Sequence, residues 1–274
     1  MQSKRVSVII PCYNAGVYLN DAIESVLQSS YKDIEIILVD DGSDDTLTVE
    51  IISKYQNKEG INLINQANAG PSVARNNAVK ASKGEYLVFL DADDKIHKDT
   101  INLCCATMNS DDRIGVVYGN YKCFGEKNEI HKQREFDKIK MLRANEIALC
   151  SMVRKKAFLD VSGFDEYLSR KGLEDWDLWL SLYENGWQFK HLNELMFDVR
   201  VHKSSRTFAV ANLQIDDLLE YIYKKHSALL SKTFLELYHE NKNIKSTSAY
   251  KLAIILSTPF KIIKKIFCKP RLPL

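Results

Sequence analysis

The chain has 274 residues, of which 45% are hydrophobic and 27% charged, and a formal net charge of +2. That length can bury a large α/β core without disulfide or metal staples, and the composition excludes global disorder. The nearly balanced charge names no particular partner, and nothing in it points to nucleic acid.

Four β-rich runs open the chain, at residues 6–10, 34–39, 61–65 and 86–90. Each is followed by turn or polar residues and then a helical pattern, which is the spacing of βαβ units. The runs are apolar on consecutive positions, as expected of strands covered on both faces. Between the first two, Leu19, Ala22, Ile23, Val26 and Leu27 recur at helical spacing. Beyond about residue 110, Val116, Val117 and Tyr118 read as a strand before a polar region, and an apolar stretch covers 147–158. Trp176, Trp179, Leu180 and Tyr183 then mark an amphipathic helix that Gly186 ends. Alternation over 197–201 predicts a strand with Asp198, Arg200 and His202 on one face.

From about residue 211 the pattern is helical, and residues 241–274 hold eight basic residues and no acid. Near the end, Phe260, Ile262, Ile263, Ile266 and Phe267 share a helical face apart from Lys261, Lys264 and Lys265. Such a segment suits the surface of an anionic membrane, and it suits equally a helix docked on a core with solvated lysines. The six cysteines form no C-x-x-C pair and the N-terminus has no long apolar segment, so a reducing, cytoplasmic setting is expected. No apolar run approaches the ~20 residues that span a bilayer, so the chain is not expected to cross one unaided.

In open parallel sheets ligands bind beyond the carboxyl ends of the strands. Three polar clusters fall there: Pro11-Cys12-Tyr13-Asn14, Asp40-Asp41-Gly42-Ser43 and Asp91-Ala92-Asp93-Asp94. The Asp-x-Asp of the third offers hard oxygen ligands suited to Mg²⁺ or Mn²⁺ beside a substrate phosphate, although aspartates are also ordinary turn residues. Asp40 is placed to accept a hydrogen bond from a base or ribose, or simply to serve its turn. Arg75, one turn into a helix after Asn68-Ala69-Gly70-Pro71, is either a donor fork for a base or phosphate or a solvated arginine. Asp175 falls at the start of the tryptophan helix, where the dipole favours a carboxylate for catalysis or for plain capping. His202 stands beside Lys203, Ser204 and Ser205 and reads as a metal ligand or as a surface residue.

Taken together, residues 6–14, 39–45, 68–76 and 84–94, followed by Gly163-Phe164-Asp165-Glu166 and Glu174-Asp175-Trp176-Asp177-Leu178-Trp179, resemble the family 2 glycosyltransferases of the GT-A fold. The resemblance covers residues 5 to about 205. It implies a Rossmann-like, mainly parallel sheet flanked by helices, with a C-terminal helical extension. Residues 1–110 would form a nucleotide-sugar-binding half, 111–210 the acceptor-binding half of the same domain, and 211–274 the basic extension.

By that resemblance Pro11, Tyr13 and Asn14 would line the nucleotide pocket, Asp40 would read the base and Arg75 would close the pocket. Asp91 and Ala92 would belong to the donor side, and Asp93 would hold Mn²⁺ or Mg²⁺, with His202 joining the metal or diphosphate. Asp175 would be the general base, with Glu174 and Trp176 on the acceptor side, although the helical spacing of the tryptophans also explains them as core. The implied reaction is inverting, metal-dependent transfer of a single sugar from a nucleotide diphosphate donor, with a uridine donor as the family expectation. The acceptor would be a saccharide or lipid-linked glycan, and the basic tail would place the enzyme on the inner face of the membrane. Members that spin long polymers carry Gln-x-x-Arg-Trp and several membrane spans, neither of which is present here.

Two other readings stand beside this one. A dinucleotide-dependent oxidoreductase should carry G-x-G-x-x-G after the first strand, where this chain has Pro11-Cys-Tyr-Asn-Ala-Gly16. A non-catalytic sugar-nucleotide-binding or scaffold protein of the same fold is opposed by the joint presence of Asp91, Asp93 and Asp175.

Overall fold

The computed structural model describes residues 4–202 and 215–246. The chain divides into two compact units, residues 1–225 and 226–274. In the first, the strands are β1 (Val6–Cys12), β2 (Ile34–Asp40), β3 (Ile61–Asn65), β4 (Tyr86–Phe89), β5 (Lys95–Ile96), β6 (Ile114–Gly125), β7 (Glu129–His131), β8 (Met152–Arg154) and β9 (Gln188–Val201). The helices are α1 (Gly16–Leu27), α2 (Thr46–Tyr55), α3 (Pro71–Ala81), α4 (Thr100–Met108), α5 (Lys138–Met141), α6 (Lys155–Asp160), α7 (Glu174–Glu184) and α8 (Ile215–Lys225). The described part of the second unit is residues 226–246, of which Ser227–Ser246 form α9. The amphipathic stretch at 260–267 lies outside the described residues. Among the described residues no helix is long and apolar enough to cross a membrane.

The strands form one sheet in the order β3-β2-β1-β4-β8-β6-β9-β5, with β7 paired to β6. From β3 to β4 all neighbours are parallel. The chain then reverses: β8 runs antiparallel to both β4 and β6, while β9 runs parallel to β6. Two reversals bring β9 back to the direction of β4. Its carboxyl end, Val201 and His202, therefore opens on the same edge as Asp91, and β5 closes that side antiparallel to β9.

The apolar runs become strands because both faces are covered. Val6, Val8, Ile9 and Ile10 are fully buried, as are Ile37, Leu38 and Val39 of β2. Helix α1 lays Leu19, Ala22, Ile23 and Val26 on this core at the spacing of one helical face. Gly16 lets α1 approach α2, since a Cβ there would stand 2.6 Å from the Thr48 Cα. The Gly16 N–H donates to the Thr48 hydroxyl at 2.7 Å across this contact. Helix α7 ends with Asn185 as its cap, and Gly186 turns the chain out at φ 88°.

Asp41, buried at 4% exposure, fastens the end of β2 to the loop before α3. One of its oxygens accepts the Gln66 amide and the Ala69 N–H, and the other accepts the Gly70 N–H, all at 2.8 Å. Asp41→Ala strands these three donors, and is expected to lower the stability of unfolding in urea by about 2–4 kcal/mol. An unchanged midpoint would show that the loop does not depend on this carboxylate.

Candidate active site

The carboxyl ends of β1 and β2 are tied together through Asn14, which sits at φ 49°. Its side-chain oxygen accepts the N–H groups of Asp44 and Asp45, its amide donates to the Asp44 carboxylate, and its own N–H donates to the Ser43 hydroxyl. Asn14 therefore shapes this rim by wiring it. Asp40 accepts the Ser43 N–H at 2.9 Å, while Asp45 caps α2 by accepting the Thr48 N–H. Tyr13 projects from the rim at 48% exposure, its ring open to stack on a planar partner, and Pro11 is half-buried beside it.

At the end of β4, one carboxylate oxygen from each of Asp91, Asp93 and Asp94 lies within 4.8 Å of the other two. Burial, and then the charge of Asp91, push the Asp93 carboxyl above the usual carboxylate range, against the opposing influence of His202. The same forces push the Asp94 carboxyl well up. The cluster is therefore rich in negative charge that a divalent cation would relieve, and its oxygen-only donor set fits Mg²⁺ or Mn²⁺. His202 places Nε2 2.9 Å from an Asp93 oxygen, its ring 4.9 Å from that of Tyr18. Ala92 is buried between the two aspartates.

Arg200 was visible in the sequence only as a face-mate of His202, yet it holds this cluster in place. Its N–H donates to Asp94 at 2.8 Å, and its guanidinium donates to the Asp93 carbonyl and to Asp21. The guanidinium lies 4.6 Å and 4.4 Å from the ring centroids of Tyr18 and Phe124.

Arg75 is not a solvated arginine. It is 2% exposed, and its fork joins two distant stretches of chain, donating to Asp91 at 2.6 Å and to Glu174 at 3.1 Å. The Phe164 ring lies 5.4 Å from the guanidinium. Asn76, one residue on, holds the Gly163-Phe164-Asp165-Glu166 motif by accepting the Phe164 N–H and donating to the Phe164 carbonyl and Glu166. Ser169 accepts the Ser72 N–H, and Arg170 donates to Asn68. Two motifs far apart in sequence are thus one interlocked structure.

That interlock delivers Asp175. The chain enters α7 through Gly172 at φ 92° and Leu173 at φ 66°. A left-handed leucine costs about 1–2 kcal/mol, which the surrounding contacts must offset. Asp175 then stands half-buried at the helix start, accepting the Asn145 amide at one oxygen and the Trp176 N–H at the other, both at 2.8 Å. Its neighbours lie deeper: Glu174 is 3% and Trp176 2% exposed, and the Trp176 indole donates to the Met141 carbonyl. Asn145 belongs to a stretch of sequence that matched no motif.

Helix α8 supports the same corner. Lys225 donates to Asp165 at 2.7 Å and to buried Asp177 at 2.8 Å, and the Tyr221 hydroxyl donates to Asp165. Burial alone would lower the Lys225 ammonium, but these bonds outweigh it and the pKa is raised.

The model of a family described as glycosyl transferase family 2 matches residues 7–172, more than half of the chain. The chondroitin synthase of Pasteurella multocida is 27% identical over 250 residues, which are 89% of this chain and 25% of that protein. The chain thus spans about a quarter of the length of that curated relative. Among solved structures, S. aureus TarS 1-349 in complex with UDP-GlcNAc superposes with a TM-score of 0.69 at 22% identity, covering 82% of this chain and 66% of that one. The mannosyltransferase PcManGT of Pyrobaculum calidifontis, in complex with GDP-Man and Mn²⁺, has a TM-score of 0.59 at 15% identity, covering 97% and 88%. The chain belongs to glycosyl transferase family 2 and has the GT-A fold.

Arg75→Ala leaves buried Glu174 without its arginine and is expected to cost about 3–5 kcal/mol in urea unfolding. Adding Glu174→Gln should recover part of that loss, because the second change removes a buried negative charge that no longer has the guanidinium beside it. Strictly additive losses would contradict the buried bridge.

Proposed function

We propose that this family 2 chain is an inverting, metal-dependent glycosyltransferase that moves one sugar per turnover from a UDP-hexose or UDP-N-acetylhexosamine onto a hydroxyl of a saccharide or lipid-linked glycan. The observation that carries the reading is the Arg75 fork, which joins Asp91 of the Asp-x-Asp cluster to Glu174, the residue before Asp175. One buried cation thereby sets a donor-side carboxylate and the proposed base on a common scaffold. A uridine donor is supported by the UDP-GlcNAc bound to S. aureus TarS, and a glycan acceptor by the chondroitin synthase relative.

In this reading residues 1–110 hold the donor. Tyr13 and Pro11 pack on the base, Asp40 accepts from it, and Asn14 keeps the rim in shape. Arg75 closes the pocket from beneath, by fixing Asp91 rather than by touching the base. Asp93 and His202 would hold Mn²⁺ or Mg²⁺, which would supply positive charge to offset that growing on the departing diphosphate. Residues 111–210 present the acceptor. Asp175 takes the proton from the attacking hydroxyl, which strikes the anomeric carbon opposite the leaving group and inverts it. Glu174 and Trp176 serve the acceptor side from behind, by holding Asp175. The basic residues of 211–274 would favour an anionic inner leaflet, where a lipid-linked acceptor would lie.

Slow hydrolysis of a panel of nucleotide sugars with Mn²⁺, followed as released nucleotide diphosphate, identifies the donor without knowledge of the acceptor. Asp93→Ala should abolish metal-dependent donor binding, whereas Asp175→Asn should keep it and lose transfer by about 10²–10⁴-fold. Wild-type transfer by Asp175→Asn would refute the base.

The raised Asp93 and Asp94 carboxyls also give a pH dependence. In the folded state their ionised forms are penalised, fully so above the raised values. The penalty fades as pH falls through those values and is gone below the ordinary value of 3.8. A cation removes the penalty only where the carboxylates are ionised. Mn²⁺ should therefore raise the melting temperature at pH 7.5 and progressively less as pH falls toward 4. An equal shift at both ends would refute binding at this cluster.

A further inference from the structure

One face of the β6–β7 hairpin gathers three different ligand chemistries. The ladder sets Tyr121 opposite His131 and Cys123 opposite Glu129. Residues two apart on a strand share a face, so Cys123, Glu129 and His131 stand together. One ligand atom from each lies within 4.8 Å of the other two. Cys123 is 7% exposed, whereas the Glu129 and His131 side chains are open to solvent and approach each other to 3.1 Å. The His131 ring is steadied by stacking on Tyr121, 4.7 Å between centroids and 12° between planes.

We propose that this face binds one thiophilic divalent cation, Zn²⁺, through the Cys123 sulfur, a Glu129 oxygen and a His131 nitrogen, with water as the fourth ligand. Thiolate, imidazole and carboxylate are the donors zinc takes, and three protein ligands plus water form a four-coordinate site. Ligand atoms around such an ion stand roughly 3.5 Å apart, so closure requires shifts of about 1 Å, which the exposed ends of Glu129 and His131 can make. Burial and the neighbouring Glu129 push the Cys123 thiol up, so without a cation it stays protonated. Binding releases that proton to water as the sulfur–zinc bond forms, and the incoming charge offsets the penalty on the thiolate. The sulfur makes this site distinct from the oxygen-only cluster at Asp91, Asp93 and Asp94. Its position gives it a purpose: all three ligands lie on the hairpin, so the ion would brace β7 against β6, whose Cys123 and Phe124 pair with Val199 and Arg200 of β9.

The test uses the full chain carrying Cys268→Ser, so that no thiolate from the tail contributes. Co²⁺ should produce a near-ultraviolet sulfur-to-metal charge-transfer band, and Zn²⁺ should displace it at about one equivalent. The band should survive Asp93→Ala, disappear in Cys123→Ser, and need at least about tenfold more metal in Glu129→Gln and in His131→Gln. Both of the last two residues are at the surface, so a fold defect would not explain their effect. Absence of a thiolate band, its persistence in Cys123→Ser, or affinity unmoved by the Glu129 and His131 changes would overturn the proposal.

Discussion

A guanidinium withdrawn from water must be paired, and the pairing of Arg75 organises this molecule. Its two carboxylate partners come from the end of β4 and the start of α7, 83 residues apart by their numbers, 91 and 174. Leaving either partner out would leave the buried guanidinium with one carboxylate in place of two, so full pairing ties the two stretches to each other. Asp93 lies two residues from one partner and Asp175 one residue from the other. On the proposed reading, in which Asp93 marks the leaving-group side and Asp175 accepts the proton, their relative placement would be set by a side chain that need not touch substrate.

Around that bridge the chain concentrates negative charge rather than dispersing it. Asp91, Asp93 and Asp94 crowd together while Arg200 braces their backbone from β9. This is an unfavourable arrangement for a bare protein, and a favourable one for a protein whose working state includes a divalent cation. The approach to Asp175 passes through consecutive left-handed residues at 172 and 173, a local cost offset by the interlock of residues 68–76 with 163–170.

The parallel half of the sheet was legible in the sequence because strands covered on both faces are written as unbroken apolar runs, and the polar clusters after them mark the carboxyl edge of the sheet. The glycine stop of α7 was equally plain. The second half was not, because β8 is three residues long and its antiparallel pairing with β4 and β6 is a long-range property. Glu174 reads as an acceptor-side acid until its burial against Arg75 is seen. Lys225 reads as part of a basic extension, yet it reaches back to Asp165 and Asp177, so α8 clusters with the first unit. Arg200 carried a signal, the alternating Asp198, Arg200, His202 pattern, but its partners at 21, 93 and 94 are invisible in one dimension.

The central claim is that carboxylates at the end of β4 hold a divalent cation across a common cleft from Asp175. Anomalous diffraction from crystals grown with Mn²⁺ and a nucleoside diphosphate tests it most directly. A manganese peak at coordinating distance, about 2.1 Å, from an Asp93 oxygen is expected, with the diphosphate beside it and the Asp175 carboxylate facing the same space. A manganese peak elsewhere, or a diphosphate seated away from Asp93 with Asp175 turned from it, would contradict the account.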